Sequence, residues 1–187
     1  MKLPRTIRLD PSDRFVFSAA AEPGEWAVSG AFLYADADPD SLPGKEKVAM
    51  RSGFLGVGSF GWSTLVVVTD ATAAERDGAV ETLARHFVER LGAPDWGAAL
   101  AAAEEEVDFA ASICDHPVNT LLAVHRVVEG DGLVERFRTL HQREATPGAD
   151  RMHAHARAFT IEKFDDEDAP VERVDLASLA NKDGAKR

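Results

Sequence analysis

Residues 72–114 constrain this fold more than any other part of the chain. Thr72-Ala-Ala-Glu75 is a capping box, in which the threonine oxygen and the glutamate carboxylate satisfy donors that a first helical turn leaves unpaired. Apolar residues then recur at Val80, Leu83, Ala84, Phe87, Val88 and Leu91, the spacing of one helical face. Gly92 suits the left-handed stop position, and Pro94 suits the first turn of a following helix. That second helix is expected to place Trp96, Leu100, Ala103, Val107, Ala111 and Cys114 on one stripe, with Glu104, Glu105 and Asp108 on its other face. So short a link makes the helices antiparallel neighbours. Their apolar stripes then need a sheet to cover.

Strands flank the pair on both sides. Residues 63–69, Ser-Thr-Leu-Val-Val-Val-Thr, are rich in β-branched residues and read as a central strand. Residues 14–19 and 26–34 also read as strands, residues 35–46 as a loop, and residues 47–60 as a bent strand pair interrupted by Gly53, Gly56 and Gly58. After the helices, residues 119–129 and 133–141 flank Gly130-Asp131-Gly132 as a hairpin. Residues 152–164 carry both helical and alternating spacing, and the alternation favours a strand from about Ala158. The expected fold is α+β: a mainly antiparallel sheet with the antiparallel helix pair packed on one face. Residues 1–164 are expected to form a single domain, and residues 165–187 a loosely ordered charged tail.

Charge narrows the partners. Twenty-one basic residues face 32 acidic ones, a formal net charge of -11. Such a field repels phosphate backbones and anionic membranes, so neither nucleic acid nor membrane is expected as a partner. Arg126, Arg136, Arg138 and Arg143 are diluted in sequence by Glu129, Glu135 and Glu144. One cysteine, no signal-peptide core and no long apolar run point to the cytoplasm.

Each catalytic motif meets a simpler reading. Gly56-Val-Gly-Ser-Phe-Gly61 spells a dinucleotide-binding string, but a strand follows it where a helix is needed, so close strand packing is the better account. Asp36, Asp38 and Asp40 open like a calcium loop, yet Ser41 and Lys47 stand where glycine and the clamping glutamate belong. That leaves a solvated acidic turn. Cys114 and His116 bring a thiol near an imidazole, but burial at a helix C-terminus raises a thiol's pKa, so core packing is favoured. Glu104 and Asp108 share a helical face without the Glu-x-x-His repeats of di-metal bundles, so a solvated face or one meeting a basic partner is expected. The chain has no nucleophile elbow and no P-loop.

His153-Ala-His155 carries the best chemical signal. An extended backbone points both imidazoles to one face, as in metal sites of β-barrels. His141, His125 or His116 would supply a third nitrogen, or Glu162 an oxygen. A divalent metal at His153 and His155 is therefore the candidate cofactor, although none is required.

Residues 89–97, 104–110, 119–126 and 135–140, from Glu-Arg-Leu-Gly-Ala-Pro-Asp-Trp-Gly to Glu-Arg-Phe-Arg-Thr-Leu, resemble an uncharacterised bacterial family, one of the domains of unknown function. The resemblance spans residues 70–141 and carries no activity, cofactor or site residue. It implies an accessory role beside redox or cofactor-ligase proteins. Two functions follow as expectations. The favoured one is a non-enzymatic bacterial accessory or interaction protein, with a protein partner or as a homo-oligomer, using large residues such as Trp26, Trp62 and Trp96. The other is a small-molecule-binding or metal-dependent enzyme that uses His153 and His155.

Overall fold

The computed structural model describes residues 1–35, 37–129, 132–142 and 159–163. Five antiparallel strands form the larger sheet: β1 (Lys2–Ile7), β5 (Leu65–Asp70), β6 (Leu121–Glu129), β7 (Gly132–Gln142) and β8 (Phe159–Lys163), in that spatial order. β2 (Ala27–Val28), β3 (Phe54–Gly56) and β4 (Trp62–Ser63) form a small second sheet. Four helices complete the described architecture: α1 (Asp13–Val16), α2 (Gly44–Ser52), α3 (Ala73–Leu91) and α4 (Trp96–Ser112). The fold is α+β, with α3 and α4 packed as a pair.

Local chemistry accounts for the helix pair. Thr72 caps α3 through its side chain and Glu75 answers to the Thr72 backbone, the complete capping box. Gly92 ends the helix at φ 69°, where a side chain would be strained. Val80, Leu83, Ala84 and Phe87 of α3 join Ala99, Ala103, Val107 and Ala110 of α4 in one core. Pro94 does not enter the second helix, because Asp95 caps it by accepting from the Ala98 amide at 2.8 Å. Trp96, expected on the buried stripe, is 47% exposed in the first turn. Cys114 lies just past the end of α4 and packs with Phe54, Val66, Val68, Leu122 and Val124.

β5 stands inside the larger sheet, as its sequence implies, and the 121–142 hairpin and β8 form where alternation places them. The first third differs most. Residues 14–19 are not a strand: a single helical turn holds Asp13, whose carboxylate accepts from the Thr64 hydroxyl at 2.6 Å. Phe15 is 73% exposed while Phe17 is buried, so the apolar run serves no common face. Residues 26–34 yield only β2, because Gly30 turns the chain at φ 78° into the 3-10 turn Ala31–Tyr34. Residues 44–52 are the helix α2, which takes residues 44–46 from the expected loop and 47–52 from the expected strand pair, and only residues from Phe54 onward form the expected hairpin. The N-terminus, left without an element by sequence pattern, is an edge strand, a position that tolerates Pro4 and its missing donor.

Candidate functional site

Alternation on β6 turns Leu122, Val124 and Arg126 to one face, opposite Thr139, Phe137 and Glu135 of β7. β5 pairs with β6 only through Leu121–Ala123, and α2 packs against β6. Arg126 is 1% exposed and satisfies its whole guanidinium. Nε donates to Glu135 at 2.7 Å, Nη1 to the carbonyls of Met50 and Gly53 at 3.0 and 2.8 Å, and Nη2 to the carbonyl and hydroxyl of Ser29. One cation thus closes the C-terminus of α2, where orphan carbonyls and the helix dipole both favour positive charge. Ser29 also donates to Glu135, completing a closed network. With its donors spent internally, Arg126 is a structural tie and not a ligand-binding group.

A groove of about 330 Å³ opens beside this network, between the α3–α4 corner and the 3-10 turn. Phe32, Phe87, Leu91 and Pro94 form its apolar walls, and Ala98, Ala99 and Ala102 line it along α4. Glu105 and Glu106 complete the lining. Half-buried Glu106 makes no hydrogen bond or ion pair among the described residues. Burial pushes its carboxyl up to about 7; repulsion from Glu135 adds to this, Arg126 opposes it, and Glu105 adds a smaller push. The groove therefore couples apolar walls to an acid that ionises near neutrality. Period-two spacing of Leu122, Val124 and Arg126 signals the inward arginine in sequence, whereas nothing local distinguishes Glu106 from its acidic neighbours.

The residues singled out by sequence are distributed differently. His153 and His155 lie outside the described residues. The backbone of β8 places Thr160 opposite His141 and Glu162 opposite Thr139. His125 is exposed on β6, and the His116 carbonyl accepts from Lys2 Nζ at 2.6 Å. Among the described residues, no three His, Cys, Asp or Glu side chains gather as a metal site. Burial pushes the Cys114 thiol up to about 12, against a smaller opposing effect of Lys2, consistent with a packing role.

The glycine string joins β3 to β4 and holds a carboxylate of this same chain. Glu25 accepts from the Ser59 amide at 2.7 Å, while Gly61 lies against the Ala20 backbone. A Cβ at Gly56 or Gly58 would meet Glu25, and one at Gly61 would meet Ala20. Close packing is thus what the glycines permit. Asp38, beyond Asp36 outside the described residues, accepts from the Asp40 amide in an acidic turn. Asp108 takes Arg76 from α3 at 2.6 Å, tying the helix pair together, while Glu104 is exposed.

A family model of unknown function, DUF6505, matches residues 1–158. The chain belongs to the DUF6505 family. The match extends well past the 70–141 stretch that carries the resemblance, taking in the N-terminal strands, the groove and the arginine network. No curated protein and no solved structure matches the chain. Among the described residues, no helix is long and apolar enough to cross a membrane.

Proposed function

We propose that this DUF6505 protein is a non-enzymatic accessory protein that docks a partner protein through the groove at the α3–α4 corner. The occupant is an apolar side chain of the partner with a lysine or arginine beside it. The groove carries this reading: its volume lies at the small end of ligand pockets, about 300–1,000 Å³, while its walls run into exposed Leu91 and Pro94. Such a shape suits one anchor of a larger partner better than an engulfed small molecule. Glu105 and Glu106, the latter without an ion-pair partner among the described residues, complement with the net charge of -11 a basic neighbour of that anchor. The inward polar groups Arg126, Ser29 and Glu135 are consumed by one another, which supports docking over chemistry at this place.

Selection of a random hexapeptide library on the full chain tests this reading. The wild-type chain is expected to enrich peptides pairing an apolar residue with a basic one. Leu91→Asp is expected to abolish selection with far-UV circular dichroism unchanged. Glu106→Gln is expected to keep the apolar preference and lose the basic one. No enrichment by the folded wild type, or selection indifferent to Leu91→Asp, overturns the reading. A dimer split by Leu91→Asp would assign the groove to a second copy. Selection restored only by Val174→Asp with Leu179→Asp would assign it to the chain's own C-terminal residues. The competing metal-dependent enzyme predicts bound divalent metal in the purified chain, lost when His153 and His155 are both changed to alanine.

A further inference from the structure

The charge that sequence spreads along β6 and β7 is sorted by the sheet. Arg126 and Glu135 face inward together, which removes both from the outer surface. The alternate positions then bring His125 directly opposite Arg136, with Arg138 one diagonal step away, opposite Ala123. Directly opposed Cβ atoms stand about 5 Å apart and diagonal ones about 7 Å, within reach of long side chains. Arg51, in the last turn of α2, adds another guanidinium from the element packed on β6. Arg136 already holds Glu129 at 2.7 Å. The side chains of Arg51 and Arg138 make no hydrogen bond or ion pair among the described residues. Partial desolvation by its neighbours, followed by the charges of Arg138, Arg51 and Arg136, holds the exposed His125 below its ordinary pKa. Three arginines around one histidine, with Glu129 at the hairpin end beyond Arg136 and Lys163 of β8 in register opposite Arg138, form a positive island on a chain of net charge -11.

We infer that this island binds a phosphate-type oxyanion, gripped by the guanidinium forks of Arg51 and Arg138 with His125 alongside. Guanidinium pairs phosphate oxygens through two parallel donors, which a point-charge lysine cannot do. Size favours a small ligand over a polyanion. Local charges act within a screening length of about 8–10 Å, so a single phosphate feels the island while a long nucleic acid also meets the acidic surface around it. The site is separate from the groove and does not depend on the docking reading. A bound dianion offsets the arginine field at His125, so its pKa rises on binding and a proton is taken up. For an oxyanion whose own charge stays constant over this range, such as sulfate, affinity therefore increases as pH falls through the ordinary histidine range.

The test follows the His125 ring protons by NMR in the full chain during titration with inorganic phosphate at constant ionic strength. The expected result is a saturable shift that chloride does not reproduce; with sulfate, which keeps its charge across the range, the same shift tightens at lower pH. The double variant Arg51→Gln, Arg138→Gln should weaken binding at least about tenfold, with far-UV circular dichroism unchanged. Arg136→Gln should matter less, because Glu129 already occupies that guanidinium. Tighter binding of glucose 6-phosphate than of phosphate identifies a phosphorylated small molecule, and equal binding identifies the free ion; both support the site. A shift that does not saturate, an equal response to chloride, or indifference to the double variant overturns it. So would tighter binding of a heparin oligosaccharide than of either phosphate ligand, which would assign the island to a polyanionic partner.

Discussion

Arg126 and Glu106 lie close enough to influence each other's ionisation, yet one is saturated with partners and the other has none among the described residues. Replacing Arg126 with methionine nearly keeps the volume but leaves the partly buried Glu135 without its cation and the Met50 and Gly53 carbonyls without a donor. Breaking a buried charge pair from one side costs about 3–5 kcal/mol. A loss of that size is expected in urea unfolding of Arg126→Met, and a loss under about 1 kcal/mol would show that the network contributes little. Glu106 behaves in the opposite sense. Its carboxyl is raised from 4.5 to about 7 in the fold, so the folded chain retains a proton that the unfolded chain releases. The associated stability is present below the ordinary glutamate pKa and is lost as pH rises through about 7. Glu106→Gln should therefore flatten this part of the stability profile. Above neutrality the variant should be the more stable, by on the order of 1 kcal/mol after solvent screening. Parallel profiles for the two chains would place Glu106 in a more aqueous setting.

At the scale of elements, the outcome depends on where each element finds its partners. α3 carries its own cap, stripe and stop within 21 residues of sequence; the cap and stop form where pattern places them, while the stripe is buried at Val80, Leu83, Ala84 and Phe87 and leaves Val88 and Leu91 exposed. The 121–142 hairpin is equally local. α2 is different, because its C-terminal carbonyls are met by Arg126, 73 to 77 residues away. The Gly56–Gly61 string is a packing device for the same reason: Ala20, the neighbour it accommodates, comes from another part of the chain. Gly61→Ala would drive a Cβ to 2.7 Å from the Ala20 backbone. A cost of about 1–3 kcal/mol is expected from urea unfolding. A neutral result would mean that the β3–β4 connection shifts freely.

For the whole molecule, one core cluster links α3 and α4 with Leu3 of β1, Leu55 of β3 and Met50 of α2. Elements sharing a core unfold together, so we propose a single domain over residues 1–164. A single urea transition is expected, with tryptophan fluorescence and far-UV circular dichroism coinciding; separate midpoints would divide the chain. Charge is also organised at this scale, since inward pairing of Arg126 with Glu135 unmasks the outer arginines that sequence order dilutes.

Sequence alone determined the features whose causes lie within a few residues: the capping box, the glycine stop, the alternating strands of the hairpin and hence the α+β class. It also carried the net charge and the family texture. Tertiary structure alone decided that residues 13–16 coil into a turn, that residues 44–52 are helical, that Arg126 is a buried tie and that Glu106 borders a groove. The physical reason is range. Helix and hairpin signals act through neighbouring backbone groups, whereas burial, charge pairing and a carboxyl's pKa depend on groups that become neighbours only when distant strands close.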